Sequence, residues 1–257
     1  MEKFLIYKVS GGLNHMLIQI NNAVELSKMS NRKLIIDCES GAFNSNFNDY
    51  FEITDFEHLT SYENLKDVKT EIIESTVRYD NKKYLIGDTT VNLYRKEIIH
   101  SSEKFLLFTY LNDRIHFNNW HIKIKKDILE KVKNKEIKGD YIGVHFRNTD
   151  MKHDLKEIIQ KVKQINHINR IYLSTDDFSS IHEFEQTLQT YEIIRNTTPF
   201  DNSGKNIHYG NPNKNEVIMN TLIDMYCLMN STEFIPSKKS SLSKRVQQLR
   251  KINNFFI

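Results

Sequence analysis

The chain has 257 residues, 39% hydrophobic and 27% charged, an ordinary globular composition with room for one large domain or two modest ones. A net charge of +3 is too mild for nucleic-acid binding, which calls for a strongly basic face, and leaves small anionic ligands in play. Cys38 and Cys227 form no C-x-x-C pair, which argues against a zinc site or a disulfide framework and fits a reducing cytoplasm. The apolar stretch Phe4 to Val9 is too short for a membrane span and lacks the build of a signal peptide.

The first element is the β-like run Phe4 to Val9, which stops at Ser10-Gly11-Gly12 and gives way to apolar positions at helical spacing, Leu13, Leu17, Ile20 and Val24. Lys33 to Asp37 reads as a second strand, completing a βαβ unit. From Gly41 to about Ser75 the pattern has no clear period and predicts loops with short helices; from Thr76 to Asn119 the signal is weak. Lys123 to Lys135 has the spacing of an amphipathic helix, and the polar stretch Asn134 to Asp140 marks a domain boundary. Strand Tyr141 to Phe146, a helix from Asp154 to Ile165 and strand Arg170 to Ser174 follow. Ser180 to Glu183 has capping-box spacing, so a helix should run from there to about Thr190. After strand Tyr191 to Ile194, Thr197 to Lys214 reads as a long loop of the kind that often covers a ligand. Ile218, Leu222, Met225 and Met229 share one helical face, and strand Glu233 to Ile235 precedes a last helix beginning near Ser241. Alternating strands and helices imply parallel sheets covered on both faces.

Four clusters carry chemistry. Tyr141 to Phe146 ends in His145-x-Arg147-x-Thr149-Asp150, which brings an imidazole, a guanidinium and a carboxylate to a strand end, where open α/β sheets meet their ligands. The planar fork of Arg147 suits a phosphate oxygen pair; the plainer alternative is an ion pair with Asp150 or a neighbouring acid. Gly11-Gly12-Leu13-Asn14 precedes a helix and either exposes its first amides to a ligand or makes a tight turn. Asp176-Asp177 could bind ribose hydroxyls, hold a metal or cap a helix. Asp224 sits in a helix apolar on most sides and needs a partner, either an arginine or the N1 and N2 edge of guanine. Ser237 to Ser243 opens the last helix with hydroxyls, lysines and free amides, a phosphate site or a solvated cap.

Together these segments resemble the fucosyltransferase-like superfamily of α1,6-fucosyltransferases, the nodulation fucosyltransferase and protein O-fucosyltransferases. Gly11-Gly12-Leu13-Asn14 with Asn22-Ala23 and Arg32-x-Leu34 is similar to its N-terminal pattern, and Val144 to Asp150 to its H-x-R-x-T-D motif. Ile171 to Asp177 matches its strand ending in T-D-D, and Leu222 to Asp224 through Ser240-Ser241 its third donor-site motif. The resemblance implies a GT-B fold: two Rossmann-like domains with a cleft between them, residues 1–138 on the acceptor side and 139–257 holding the nucleotide sugar. It implies an inverting fucosyltransferase that moves fucose from GDP-fucose to a glycan hydroxyl, without a cofactor or metal. Arg147 would bind the β-phosphate, His145 and Asp224 the guanine nucleoside, and Ser240 or Ser241 phosphate. Asp176 and Asp177 would lie beside the nucleoside, and Gly11, Gly12, Asn14 and Asp150 would complete the substrate site. For the general base, Asp154 is the first candidate and His153 the second. Asn148 departs from the pattern, since some relatives carry a second basic residue there. A related transferase with another sugar nucleotide, or a non-catalytic nucleotide- or glycan-binding module, are the alternatives.

Overall fold

The computed structural model describes residues 2–9, 11–38, 45–61, 79–80, 83–86, 89–91, 100, 102, 104–108, 120–148, 153–199 and 214–252. The chain divides into two compact units, Met1–Lys125 and Lys126–Ile257.

In the first unit, β1 (Phe4–Lys8) is buried from Phe4 to Tyr7 because a parallel strand is covered on both faces. It is followed by α1 (Leu13–Ser30) and β2 (Lys33–Asp37). Gly11 makes the turn with a φ of +78°, and Asn31 ends α1 in the left-handed conformation that asparagine tolerates, at a φ of 51°. β3 (Phe51–Ile53) and β4 (His58–Leu59) come next. They are followed by β5 (Tyr79–Asp80), β6 (Lys83–Ile86), β7 (Thr89–Val91), β8 (Phe105–Phe108) and β9 (Ile122–Ile124). The main sheet runs β4-β2-β1-β8, all parallel. β3 pairs antiparallel with β9, and β5, β6 and β7 form an antiparallel sheet.

Two expectations change here. Residues 45–61, the described part of the stretch expected as loops with short helices, contain β3, β4 and a 3-10 turn at Phe47–Asp49. Strands of two or three residues carry too few positions to display a period, and the aromatic residues that blurred the pattern are core: Phe47 and Phe51 are buried and stacked at 5.4 Å. The helix expected from Lys123 is split, with alternating Ile122 and Ile124 belonging to β9 and the four-residue step from Ile128 to Val132 to a helix in the second unit.

That helix is α2 (Lys126–Lys133), so the boundary expected between residues 138 and 139 falls one helix later than the division of the folded chain. β10 (Ile142–Phe146), α3 (Leu155–Gln164), β11 (Arg170–Thr175), α4 (Phe178–Thr187) and β12 (Glu192–Ile194) follow. α5 (Lys214–Asn230), β13 (Glu233–Ile235) and α6 (Ser241–Ile252) complete the unit. The sheet runs β12-β11-β10-β13, again all parallel. Val144, Phe146 and Leu173 pack with Ile158, Ile159 and Val162 of α3 and Phe184 of α4 on one face. On the other, a β-carbon at Gly143 would lie 2.6 Å from the Ser231 hydroxyl, so the turn after α5 seats only on a glycine. Arg250 of α6 donates to the carbonyl oxygens of Leu228, Met229, Ser231 and Thr232, satisfying the end of α5 and tying the last two helices together.

Both main sheets share a topological property. From β10 the chain adds β11 and β12 on one side and then returns to place β13 on the other; from β1 it adds β2 and β4 and returns with β8. The order therefore reverses beside β10 and beside β1, the places where an open parallel sheet leaves a crevice at its carboxyl edge. Arg147 follows β10 directly, and Gly11-Gly12 lies between β1 and α1.

Candidate functional site

Strand β10 alternates its side chains, so Val144 and Phe146 enter the core while His145 emerges on the face covered by α5 and α6. The register sets Phe146 opposite Thr175, which carries Arg147 and Asp176 out of adjacent strands side by side. The Arg147 Nε lies 3.8 Å from Asp176 Oδ2, with the two side chains only 19% and 16% exposed. The sequence left open an ion pair with a neighbouring acid; the acid is Asp176, at the long end of the ion-pair range. Asp150 lies outside the described residues.

Asn148 binds both acids at once: its backbone amide donates to Asp176 Oδ1 at 2.8 Å and its side-chain amide to Asp177 Oδ2 at 2.7 Å. Its own side-chain oxygen accepts the backbone N–H of His153 at 3.3 Å. The residue that departs from the basic pattern thus joins the end of β11 to the start of α3. Asp177 also caps α4 through the N–H of Ser179, so the cap lies three residues before the expected one at Ser180. Ser180 instead turns its hydroxyl back to the Asp177 carbonyl at 2.8 Å.

His145 is buried and its Nδ1 meets the Ser243 hydroxyl at 2.7 Å. Burial pulls its pKa down to about 3, helped by the positive charge of Arg147, so the ring is neutral near pH 7. The Ser243 oxygen also accepts the Ser237 backbone N–H at 3.0 Å, while the Ser237 hydroxyl accepts the backbone N–H of Arg147 at 3.2 Å. Ser240, buried, accepts the N–H of Ser243 at 3.3 Å, and Ser241 is exposed at the first residue of α6. This serine lattice packs the start of α6 against the end of β10, bringing the positive end of the helix dipole to the residue that follows the strand. Sequence reasoning singled out Ser240 and Ser241 but not the connecting roles of Ser237 and Ser243.

Asp224 does not meet an arginine. Tyr172 and Thr197 donate to its Oδ1 at 2.6 and 2.7 Å, and Ser174 donates to Oδ2 at 2.9 Å. A carboxylate has about four acceptor positions, so one remains, on Oδ2. Even with three hydroxyl donors, burial raises its pKa to about 6. Tyr172 and Ser174 alternate along β11 with core residues, a period-2 signal that could have marked them as facing the same side as Asp224. Thr197, the first residue of the long loop, carried no such signal.

His153 and Asp154 start α3. Asp154 is its N-cap, accepting the Lys156 N–H at 2.9 Å, whereas the Nε2 of His153 is buried without a hydrogen bond. Gly11, Gly12 and Asn14 lie in the other unit at the start of α1, where Gly12 is the cap position and Asn14 is buried. Among the described residues no group of three or more His, Cys, Asp or Glu is gathered as a metal site, and no helix is long and apolar enough to cross a membrane.

Two Rossmann-like units, the second with a polar cluster at the carboxyl edge beside its strand-order reversal, make the GT-B fold of glycosyltransferases. The solved structures agree on the fold. NodZ fucosyltransferase from Bradyrhizobium is 16% identical with a TM-score of 0.60, over 96% of this chain and 92% of that one. The apo form of POFUT1 is 11% identical with a TM-score of 0.53, over 95% and 94%. An Arabidopsis thaliana FUT1 mutant in complex with GDP is 10% identical with a TM-score of 0.55, over 97% and 69%. No curated protein matches at the sequence level. Residues 4–253 match the GDP-fucose protein O-fucosyltransferase family, and the chain belongs to it. It is accordingly an inverting glycosyltransferase that takes fucose from GDP-fucose.

Proposed function

We propose that residues 139–257 hold GDP-fucose along the carboxyl edge of their sheet and that the sugar passes to a hydroxyl of a glycan, with residues 1–138 on the acceptor side. The observation that carries this reading is the position of Arg147 at the strand-order reversal, its backbone amide bonded to Ser237 and its side chain shielded. In this assignment Arg147 binds the β-phosphate, with Ser240, Ser241 and the first amides of α6 as further anion contacts. Asp224 accepts from the guanine N1 and N2 edge. Its one remaining acceptor position takes one of those donors, and Thr197, the single hydroxyl partner from outside β11, turns away for the second. His145, neutral and donating through Nε2 when the Ser243 hydroxyl donates to Nδ1, complements Asp224 with a donor. Asp176 and Asp177 lie beside the nucleoside and Asp150 completes the motif, while Gly11, Gly12 and Asn14 are the substrate-binding candidates of the first unit.

The chemistry is a displacement at the anomeric carbon. The acceptor oxygen forms its bond on the face opposite GDP, the bond from the carbon to the β-phosphate oxygen breaks, and GDP departs with the electron pair. Arg147 and the α6 dipole meet the charge that develops on the leaving oxygen, in a geometry set before reaction. They stand where a divalent metal would in other transferases, and transfer proceeds without one. The acceptor proton goes to a general base. Asp154 spends an oxygen on capping α3, while the Nε2 of His153 makes no hydrogen bond, which favours His153 over Asp154. The buried thiols of Cys38 and Cys227 fit a reducing cytoplasm. A panel of GDP-fucose, GDP-mannose and UDP-sugars with glycan acceptors tests the reading: turnover is expected with GDP-fucose, and transfer from another donor at an equal rate would refute it.

A further inference from the structure

The three hydroxyl groups that donate to Asp224 are not equivalent. Tyr172 and Ser174 stand two residues apart on β11, so both side chains leave the same face of the sheet, the face that α5 covers. His145 shares that face, since the register sets it opposite Ser174. Each carboxylate oxygen takes one of the pair, Tyr172 donating to Oδ1 at 2.6 Å and Ser174 to Oδ2 at 2.9 Å. Both donors are fixed in a paired strand and buried, at 0% and 3% exposure, whereas Asp224 itself keeps part of its surface open. Thr197 differs in both respects: it lies beyond β12, outside the sheet and half-buried, and it shares Oδ1 with Tyr172 at 2.7 Å.

A carboxylate turns easily about its terminal bond, because that torsion lacks staggered wells to hold it. Two donors fixed in one strand, one on each oxygen, settle the plane of the group. Once Thr197 has moved, they leave one acceptor position on each oxygen, side by side. We propose that Tyr172 is a positioning residue that sets base specificity, holding Asp224 so that its two oxygens accept together from the guanine N1 and N2 edge. The inference rests on the donor-site reading above. The same arrangement selects the base, because donors on both oxygens favour the ionised carboxylate, which offers acceptors alone. Adenine has a ring acceptor at N1, and the uracil N3–H is flanked by two carbonyl oxygens, so neither presents two adjacent donors. Burial opposes the ionised form and lifts the Asp224 pKa to about 6, and Tyr172 is the first of the hydroxyls that resist the rise. The titratable groups packed there are Tyr172 from β11, His145 from β10 and Cys227 on α5 itself, all kept uncharged near pH 7 by burial. Among the described residues α2 and α6, the helices against α5, add no charge at Asp224.

Affinities for GDP, UDP and ADP, measured by calorimetric titration from pH 5 to pH 8.5, test this on the parent chain, Tyr172→Phe, Thr197→Val and Asp224→Asn. The diphosphates titrate alike, so the ratio of GDP affinity to UDP or ADP affinity isolates the base. In the parent this ratio should fall as pH drops through about 6, where Asp224 takes up its proton. Tyr172→Phe keeps the buried ring and loses the hydroxyl, and the midpoint should move to higher pH because a donor to the charged form is gone. At pH 8.5, with the carboxylate ionised, the ratio should still be about tenfold lower, since a turned carboxylate keeps one guanine contact of two. Thr197→Val loses a hydrogen bond to the same oxygen, yet should raise the ratio at pH 8.5, because Oδ1 is then left to the base. Should Tyr172→Phe fail to fold, Ser174→Ala, which removes the donor to Oδ2, carries the same comparison. A Tyr172→Phe variant that loses stability but keeps the parent's ratio at pH 8.5 overturns the proposal, as does an equal fall of the ratio in Tyr172→Phe and Thr197→Val. If Asp224→Asn lowers the ratio and Tyr172→Phe does not, the positioning role alone falls. If Asp224→Asn keeps the parent's ratio, base recognition at Asp224 falls and the role of Tyr172 with it.

Discussion

Replacing Asp224 by asparagine separates the cost of burying this carboxylate from its service to a ligand. The rise of its pKa from 3.8 to about 6 means that the folded chain holds this proton more tightly than the unfolded chain. At about 1.4 kcal/mol per pKa unit the shift corresponds to roughly 3 kcal/mol in favour of the neutral form. Stability from this group is therefore fully present below pH 4 and is lost as pH rises through 6. The amide of Asp224→Asn can still accept from Tyr172 and Thr197 through its oxygen and can donate to Ser174, with no charge to desolvate. At pH 7.5 the variant should be more stable than the parent by up to about 3 kcal/mol, less whatever the partial exposure of the residue relieves, and the difference should vanish toward pH 4. Urea unfolding of both proteins at pH 4.5 and pH 7.5 measures it. The second readout is nucleotide preference: an amide donor now faces the donor edge of guanine, so GDP should weaken by about tenfold relative to UDP and ADP. Equal destabilisation at both pH values would refute the strained carboxylate. A stable variant with an unchanged ratio of GDP to UDP affinity would refute base recognition.

Arg147→Ala should abolish transfer and strongly weaken GDP, at a cost of roughly 3 to 4 kcal/mol in transition-state stabilisation, with lysine rescuing only in part because it lacks the bidentate fork; near-normal kcat/KM in a folded variant would remove Arg147 from the site. His153→Gln should lower kcat while sparing GDP affinity, and Asp154→Asn should chiefly cost helix stability, about 1 kcal/mol for a lost cap; the reverse pattern of kcat values would return the base to Asp154. Transfer should survive EDTA, and activity lost on chelation and restored by Mn²⁺ or Mg²⁺ would overturn the charge compensation assigned to Arg147 and α6.

The parallel strands were legible because burial on both faces makes them continuous apolar runs: β1, β2, β10 and β11 stand out from a single sequence for that reason. Arg147 was legible for the complementary reason, as a polar group directly after such a run. The environment of Asp224 was not, because its three hydroxyl partners come from β11 and from Thr197, 27 to 52 residues away in the chain. The part played by Asn148 was not legible for a related reason. Read by residue type it is a missing positive charge, but in the fold its amide faces two acids brought together by the register of β10 and β11. The cap of α4 shows a local competition: Ser180 and Glu183 have capping-box spacing, yet Asp177 starts the helix because a carboxylate there also answers Asn148.

The sheet order of the second unit has a consequence for synthesis. β10 is its central strand, but one of its two neighbours, β13, pairs with it across a gap running from Ile142 to Glu233. At 5 to 20 residues per second, a growing chain presents β10 roughly 5 to 20 s before β13 emerges. The first unit ends before β10 begins and can finish folding in that interval. During the same interval the β10 edge that β13 later covers has unpaired backbone groups, the kind of edge on which chains associate. Chaperone binding to nascent chains of this protein should therefore concentrate on lengths between the emergence of β10 and that of β13, and fall once the last strand is available.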